Sequence, residues 1–160
     1  MRRVVKPLLF AALLAGLAGC SGDEGPALDV KLIPLDDQAK QTTLADFAGK
    51  TILLDFWATW CGPCKQAMPE VQEVWDKYRS KGLEVVSISS EDRGPVLAFH
   101  HGTSYTYPVY VDPGGVTSTK YNVISIPRFV IIKHGRILWD SHNDGYTQGQ
   151  IKSMVASAMD

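Results

Sequence analysis

Residues 51–64 read Thr-Ile-Leu-Leu-Asp-Phe-Trp-Ala-Thr-Trp-Cys-Gly-Pro-Cys, an apolar run that ends in two cysteines separated by two residues. Thr51 to Trp57 is apolar and β-branched except at Asp55, the pattern of a central strand covered on both faces. From Cys64 onward Met68, Val71, Val74, Trp75 and Tyr78 recur at helical spacing until Lys81-Gly82, a basic last turn and a glycine stop. Pro69 falls inside this helix and is expected to kink it. Leu83 to Ser89 is a second strand, and strand, helix, strand at this length argues a right-handed βαβ unit. The sheet therefore begins parallel, in an α/β chain, with the Cys-x-x-Cys pair at the strand-to-helix junction.

The other segments are shorter. Leu28 to Ile33 and Gln41 to Leu44 flank a polar Asp36-Asp37-Gln38 turn and read as an N-terminal hairpin. Glu91 to Gly102 holds a short helix opened by Pro95, and Tyr107 to Val111 is a strand closed by the Asp-Pro-Gly-Gly turn at 112–115. A short helix to Tyr121 follows. Arg128 to Lys133 and Arg136 to Asp140 alternate around His134-Gly135 as a hairpin, and Thr147 to Met159 is a terminal helix with Ile151, Met154, Val155 and Ala158 on one face. With 160 residues, 45% of them hydrophobic, the chain fits one globular domain without repeats. A net charge of −1 gives no reason to expect a nucleic-acid partner.

Three cysteines is an odd number, so one must be idle, reactive or modified. Arg2, Arg3 and Lys6 precede an apolar run from Pro7 to Leu17 that is too short to span a bilayer, which is the layout of a secretory signal over 1–19. Leu17-Ala18-Gly19-Cys20 resembles the lipobox of bacterial lipoproteins, in which the cysteine becomes the acylated N-terminus. Ordinary cleavage near the same place would instead leave a spare exposed thiol, which secreted chains tend to avoid. Two or three acyl chains at Cys20 would hold the protein on a membrane surface, where a single chain binds only marginally. Ser21 to Pro26 is small, polar and glycine-rich, so residues 20–27 read as the lipidated cysteine and a flexible tether, with the folded domain spanning 28–160. Ser21 after the acylated cysteine resembles the outer-membrane sorting signal of Gram-negative lipoproteins.

Cys61 and Cys64 then remain as a redox couple. At the start of a helix, unpaired N–H groups and the positive end of the dipole stabilise a thiolate and lower its pKa below the free value of ~8.5, so Cys61 is the expected nucleophile. Cys64, one turn further in, is expected to be more shielded and to attack the mixed disulfide. Pro63 stiffens the turn between them. Asp55, six residues before Cys61, interrupts an apolar strand, where an uncompensated carboxylate costs several kcal/mol or stays protonated. A strand-end Asp facing solvent is the alternative. Trp60 is expected to be half exposed on the docking face and Trp57 to pack under the helix.

The layout from Ala27 onward resembles the thioredoxin fold, with the N-terminal β extension and central insertion of the TlpA/ResA family of membrane-anchored thiol-disulfide oxidoreductases. The resemblance rests on Asp55 through Cys64 and on Ile126-Pro127 before an apolar strand, and it covers roughly four fifths of the chain. It implies a mixed central sheet flanked by helices. It also implies that Asp55 has a raised pKa and takes the Cys64 proton. Pro127 would be cis, with the Ile126 backbone turned toward the thiols so that an extended substrate pairs with it as an added strand. Trp60, Gly62, Pro63, Ile126 and Pro127 would then form the substrate-docking face. The Gly-Pro dipeptide matches thioredoxin, whose potential of ~−270 mV makes it a reductant, against ~−120 mV for strong oxidants of this fold.

Two positions depart from the family. The Glu often found three residues after the second cysteine is Ala67 here, so Asp55 works alone or Glu70 substitutes. Arg128 replaces the usual Thr after the proline, where it would favour the thiolate, select acidic partners, or simply be solvated. A peroxidatic cysteine's upstream Pro-x-x-x-Thr-x-x-Cys arrangement is missing. His100, His101, His134 and His142 are not at the spacing of a metal site, copper carriers of this fold use Cys-x-x-x-Cys, and zinc would want four ligands, so no metal is expected.

The expected function is a membrane-tethered, extracytoplasmic oxidoreductase, acting as a monomer, that reduces disulfides in exported proteins such as apocytochrome c. Its only redox group would be the Cys61-Cys64 pair, without a cofactor, recharged by a membrane electron donor. A dithiol oxidase of exported proteins, and a copper or haem-assembly chaperone using the same thiols as ligands, remain open.

Overall fold

The structure, a computed structural model, describes residues 25–142 and 146–160. The expected signal segment over 1–19 and Cys20 lie outside the described residues. The elements are β1 (Gly25–Pro26), β2 (Lys31–Pro34), β3 (Thr42–Thr43), β4 (Thr51–Trp57), α1 (Gly62–Tyr78), β5 (Leu83–Ser89), α2 (Arg93–His101), β6 (Val109–Val111), α3 (Val116–Lys120), β7 (Arg128–Lys133), β8 (Arg136–Asp140) and α4 (Gln150–Met159). The strands form one sheet in the order β1-β8-β7-β4-β5-β6-β2-β3. β4 runs parallel to β5 and antiparallel to β7, and β5 runs parallel to β6, which is the mixed sheet expected of the thioredoxin fold.

β4 is central, and every one of its residues is buried. Its alternation sends Leu53 and Trp57 to one face, into a cluster with Cys61, Cys64, Met68 and Val71 of α1 and Ile151 and Val155 of α4. Ile52, Leu54 and Phe56 point to the other face, against Val86, Ile88, Val130 and Ile132. Asp55 shares the first face by strand parity, so it points to the side that holds the cysteines. α1 runs through Pro69 as one helix, and the chain leaves it through a short 3-10 turn capped by Gly82 at φ 99°, a conformation that glycine adopts without a Cβ penalty. β7 and β8 are joined by His134 and Gly135 at φ 53° and 73°, the two left-handed residues of a tight hairpin turn.

Several boundaries differ from the sequence reading, among them three with a visible cause. Gly25–Pro26, read as tether, pairs antiparallel with β8 at Ile137 and Arg136, and the Ala27 N–H donates to the Gly135 carbonyl at 2.9 Å. The ordered domain therefore begins before residue 28, and Pro26 is tolerated because the pairing is at the sheet edge. β6 starts at Val109, after Pro108, which has no N–H for the ladder. α4 starts at Gln150, because Gln150 Oε1 accepts the Thr147 N–H and hydroxyl and closes a turn ahead of the helix.

The N-terminal hairpin of β2 and β3 is formed, and β2 also pairs with β6, extending the sheet. Between β5 and β7 the chain supplies α2, β6 and α3. No helix among the described residues is long and apolar enough to cross a membrane.

Candidate active site

The strand-to-helix junction is built by a short loop over 58–60. The Cys61 N–H donates to the Ala58 carbonyl at 3.1 Å, which folds the loop back on itself. Glu91, just past β5, accepts the Thr59 N–H at 2.5 Å and the Thr59 hydroxyl at 2.7 Å, and Ser89 donates to the same carboxylate at 3.2 Å. Cys61 is the N-cap of α1, with Gly62 and Pro63 in the first turn. Pro63 sits where a missing N–H costs nothing, since helix-start N–H groups have no intrahelical partner.

Cys61 and Cys64 are joined in a disulfide. The Cys64 N–H also points at the Cys61 sulfur, 3.1 Å away. In the reduced protein that donor and the helix dipole stabilise negative charge on Cys61 rather than on Cys64. Exposure does not separate the two residues as expected: Cys61 is 4% exposed and Cys64 2%. What distinguishes Cys61 from Cys64 is its place at the helix start.

Asp55 is 3% exposed, which excludes the solvent-facing reading. Burial drives its pKa from 3.8 to about 7, against the Ser87 hydroxyl, which donates to Oδ2 at 2.8 Å and pulls the other way. A carboxyl poised near neutrality can hold or release a proton at working pH.

Ile126–Pro127 is cis. Ile126 is half-buried and lines a cleft of about 320 Å³ with Trp57, Trp60, Ile124 and Ser125. Trp60 is 72% exposed, further out than half, while Gly62 and Pro63 are exposed beside it. Trp57 is buried, with its ring 5.4 Å from that of Phe99 of α2. Trp60 and Ile126 thus line one cleft, and Gly62 and Pro63 are exposed between the two cysteines that follow Trp60 in the chain.

Arg128 is neither solvated nor turned toward the thiols. It is buried and forms a two-pronged ion pair with Asp140 of β8, with Nε 2.9 Å from Oδ1, and it donates to the Tyr121 carbonyl as well. Its neighbour Phe129 occupies the cysteine face, so strand alternation puts Arg128 on the opposite one. Glu70 is buried on α1 and engaged through one carboxylate oxygen. Its Oε1 accepts the Tyr146 hydroxyl at 3.0 Å and the Gly149 N–H at 2.5 Å, tying α1 to the start of α4. Ala67 is on the buried face of α1. No group of three or more metal-ligating side chains occurs among the described residues.

Glu91 and Ser87 were not singled out from sequence. Both are short-range in space and 32 positions from their partners, and only the parallel pairing of β4 with β5 brings them together. A polar residue breaking an apolar strand face, as Ser87 does after Leu83 and Val85, was the available signal.

The AhpC/TSA family model matches residues 21–140. The thiol-disulfide oxidoreductase ResA of Bacillus thuringiensis subsp. konkukian is 34% identical over 119 residues, 73% of this chain and 66% of that protein, so the chain spans just under two thirds of this relative. ResA of Geobacillus thermodenitrificans is 30% identical over 144 residues, covering 86% of this chain and 83% of that one. Among solved structures, a candidate DsbE-type thiol:disulfide interchange protein of Chlorobium tepidum superposes with a TM-score of 0.76 at 27% identity, covering 86% of this chain and 98% of that one. The helix-capping cysteine pair, the buried acid behind it and these matches agree: the chain belongs to the AhpC/TSA family and is a homologue of its ResA-type thiol-disulfide oxidoreductases.

Proposed function

We propose that this protein is a thiol-disulfide oxidoreductase that reduces disulfides in other exported proteins, apocytochrome c among them, while tethered through a lipid on Cys20 to the outer face of a membrane. The observation that carries it is the Cys61–Cys64 disulfide at a helix start, with the Cys64 N–H aimed at the Cys61 sulfur. The names of the ResA and DsbE-type relatives support the reaction class. The lipobox-like Leu17 to Cys20 supports the tether.

In the reduced protein the Cys61 thiolate attacks one sulfur of a substrate disulfide. A Cys61–substrate bond forms, the substrate S–S bond breaks, and the displaced substrate sulfur leaves as a thiolate that takes up a proton. Asp55 then accepts the Cys64 proton. The Cys64 thiolate attacks the Cys61 sulfur, closing the Cys61–Cys64 bond and releasing the second substrate thiolate, which is protonated in turn. Two electrons pass to the substrate, and a membrane donor must return two electrons and two protons to begin again. The cleft between Trp60 and Ile126 is where an extended substrate segment would lie, with the Ile126 and Pro127 backbone as its edge.

The test is the equilibrium potential of the pair against glutathione. A value near that of thioredoxin, ~−270 mV, is expected, and one above about −150 mV reverses the direction and makes the protein an oxidase.

A further inference from the structure

Two neighbouring buried strands carry polar side chains on the same face, and at one register position two of them meet. Asp55 interrupts β4 and Ser87 interrupts β5, and parallel pairing sets them opposite each other in register. Ser87 is fully buried, and its hydroxyl lies 2.8 Å from Asp55 Oδ2. A buried hydroxyl in an apolar strand is costly unless it is hydrogen-bonded, so the two polar side chains account for each other.

The surroundings leave Ser87 as the group that acts on this carboxyl. α1 contributes Cys61 and Cys64 to this face, and they do not titrate while joined. β7 places Phe129 opposite Asp55 and α2 contributes Val96, both uncharged. Before β6 stands Tyr107, whose phenol is pushed up by burial and by the nearby Asp55 and so stays neutral. Only burial and the Ser87 hydroxyl shift Asp55 resolvably. A lysine or arginine at 87 would hold the carboxyl ionised, well below neutrality, and unable to retain a proton. A hydroxyl differs in kind: it donates to a carboxylate, and after rotation its oxygen accepts from a protonated carboxyl.

We infer that Ser87 is the positioning residue of the resolving step, holding the Asp55 carboxyl in place and serving it in both protonation states as the Cys64 proton arrives and leaves. This rests on the reading that Asp55 takes that proton. The proton moves from Cys64 Sγ to Asp55, the Ser87 hydroxyl turns from donor to acceptor, and the reverse turn accompanies transfer to the departing substrate thiolate. No electron passes through Ser87.

The test titrates Asp55 directly, by the ¹³C signal of its carboxyl carbon in the oxidised full chain. The wild-type midpoint is expected near 7. Ser87→Ala should move it up by roughly one unit or more, the loss of a hydrogen bond to a charged acceptor. Release of a small aromatic thiol from its mixed disulfide with Cys61 should then slow about fivefold or more at pH 7 and recover toward pH 9. Ser87→Thr, which keeps the hydroxyl, should restore both.

A merely structural serine predicts lower stability with an unmoved midpoint, and that result overturns the inference. Should Ser87→Ala not fold, the wild-type Ser87 hydroxyl proton serves instead: it must titrate with the Asp55 midpoint, and a signal indifferent to it overturns the inference equally. Asp55→Asn separates the two readings. An unmoved Ser87→Ala midpoint beside a slowed Asp55→Asn removes Ser87 alone, whereas a wild-type resolving rate in Asp55→Asn removes the proton-transfer reading on which Ser87 depends.

Discussion

Glu91 accepts both the backbone N–H and the side-chain hydroxyl of Thr59, two residues ahead of Cys61. The loop that delivers Cys61 to the helix start is therefore pinned from outside, by a residue that follows the neighbouring strand. Glu91→Ala leaves Thr59 without its partner and is expected to cost about 1–3 kcal/mol of stability together with a drop in thiol-disulfide exchange turnover. Glu91→Gln keeps a carbonyl acceptor and should retain most of both. Urea unfolding and steady-state turnover of the two variants check this, and an alanine variant within about 0.5 kcal/mol of wild type would show that the loop holds itself.

The helix-cap geometry predicts a division of labour between the cysteines. Cys64→Ser should accumulate covalent complexes with substrate proteins, because Cys61 still attacks and nothing resolves the product. Cys61→Ser should accumulate none. Non-reducing electrophoresis of material purified from the native host reads the outcome, and the reverse pattern reassigns the nucleophile.

Asp55 makes stability depend on pH in a predictable direction. Its folded pKa, near 7, lies above the value of 3.8 for an unperturbed carboxyl. Below pH 4 both folded and unfolded states are protonated and there is no penalty. As pH rises from 4 to 7 the unfolded state ionises first, so stability falls, and the full penalty is present above 7. Asp55→Asn should thus gain roughly 2–4 kcal/mol over wild type at pH 8 and lose that advantage by pH 4. Denaturant melts of the oxidised proteins at the two pH values test the sign. An advantage that grows toward acid would mean the carboxyl is ionised in the fold.

Arg128 and Asp140 form a buried pair on the sheet face away from the disulfide. Arg128→Ala strands the Asp140 carboxylate and should cost about 3–5 kcal/mol. The equilibrium potential of the Cys61–Cys64 pair should not move, since strand alternation points the guanidinium away from it. A potential changed by tens of millivolts in a folded Arg128→Ala would return the arginine to the redox site.

Whatever depends on residues near one another in the chain was legible before the fold was known. The apolar run into Cys-Gly-Pro-Cys fixed a central strand feeding a helix, and the cap position of Cys61 followed from that handover. Strand β5 and the hairpin of β7 and β8 were bounded correctly because period and turn chemistry are local signals. Asp55 was legible as an anomaly, a charge in a strand with no local partner. What answered the anomaly was not legible. Ser87 and Glu91 reach their partners only after β4 and β5 pair in parallel, and the sequence fixes no register for two strands separated by a helix. Arg128, next to the cis-proline in sequence, was drawn to the far face by the period of two and by a carboxylate twelve residues away. Tertiary structure decided the polar partnerships, because a buried charge or hydroxyl is satisfied by whatever the folded sheet places within about 3 Å of it.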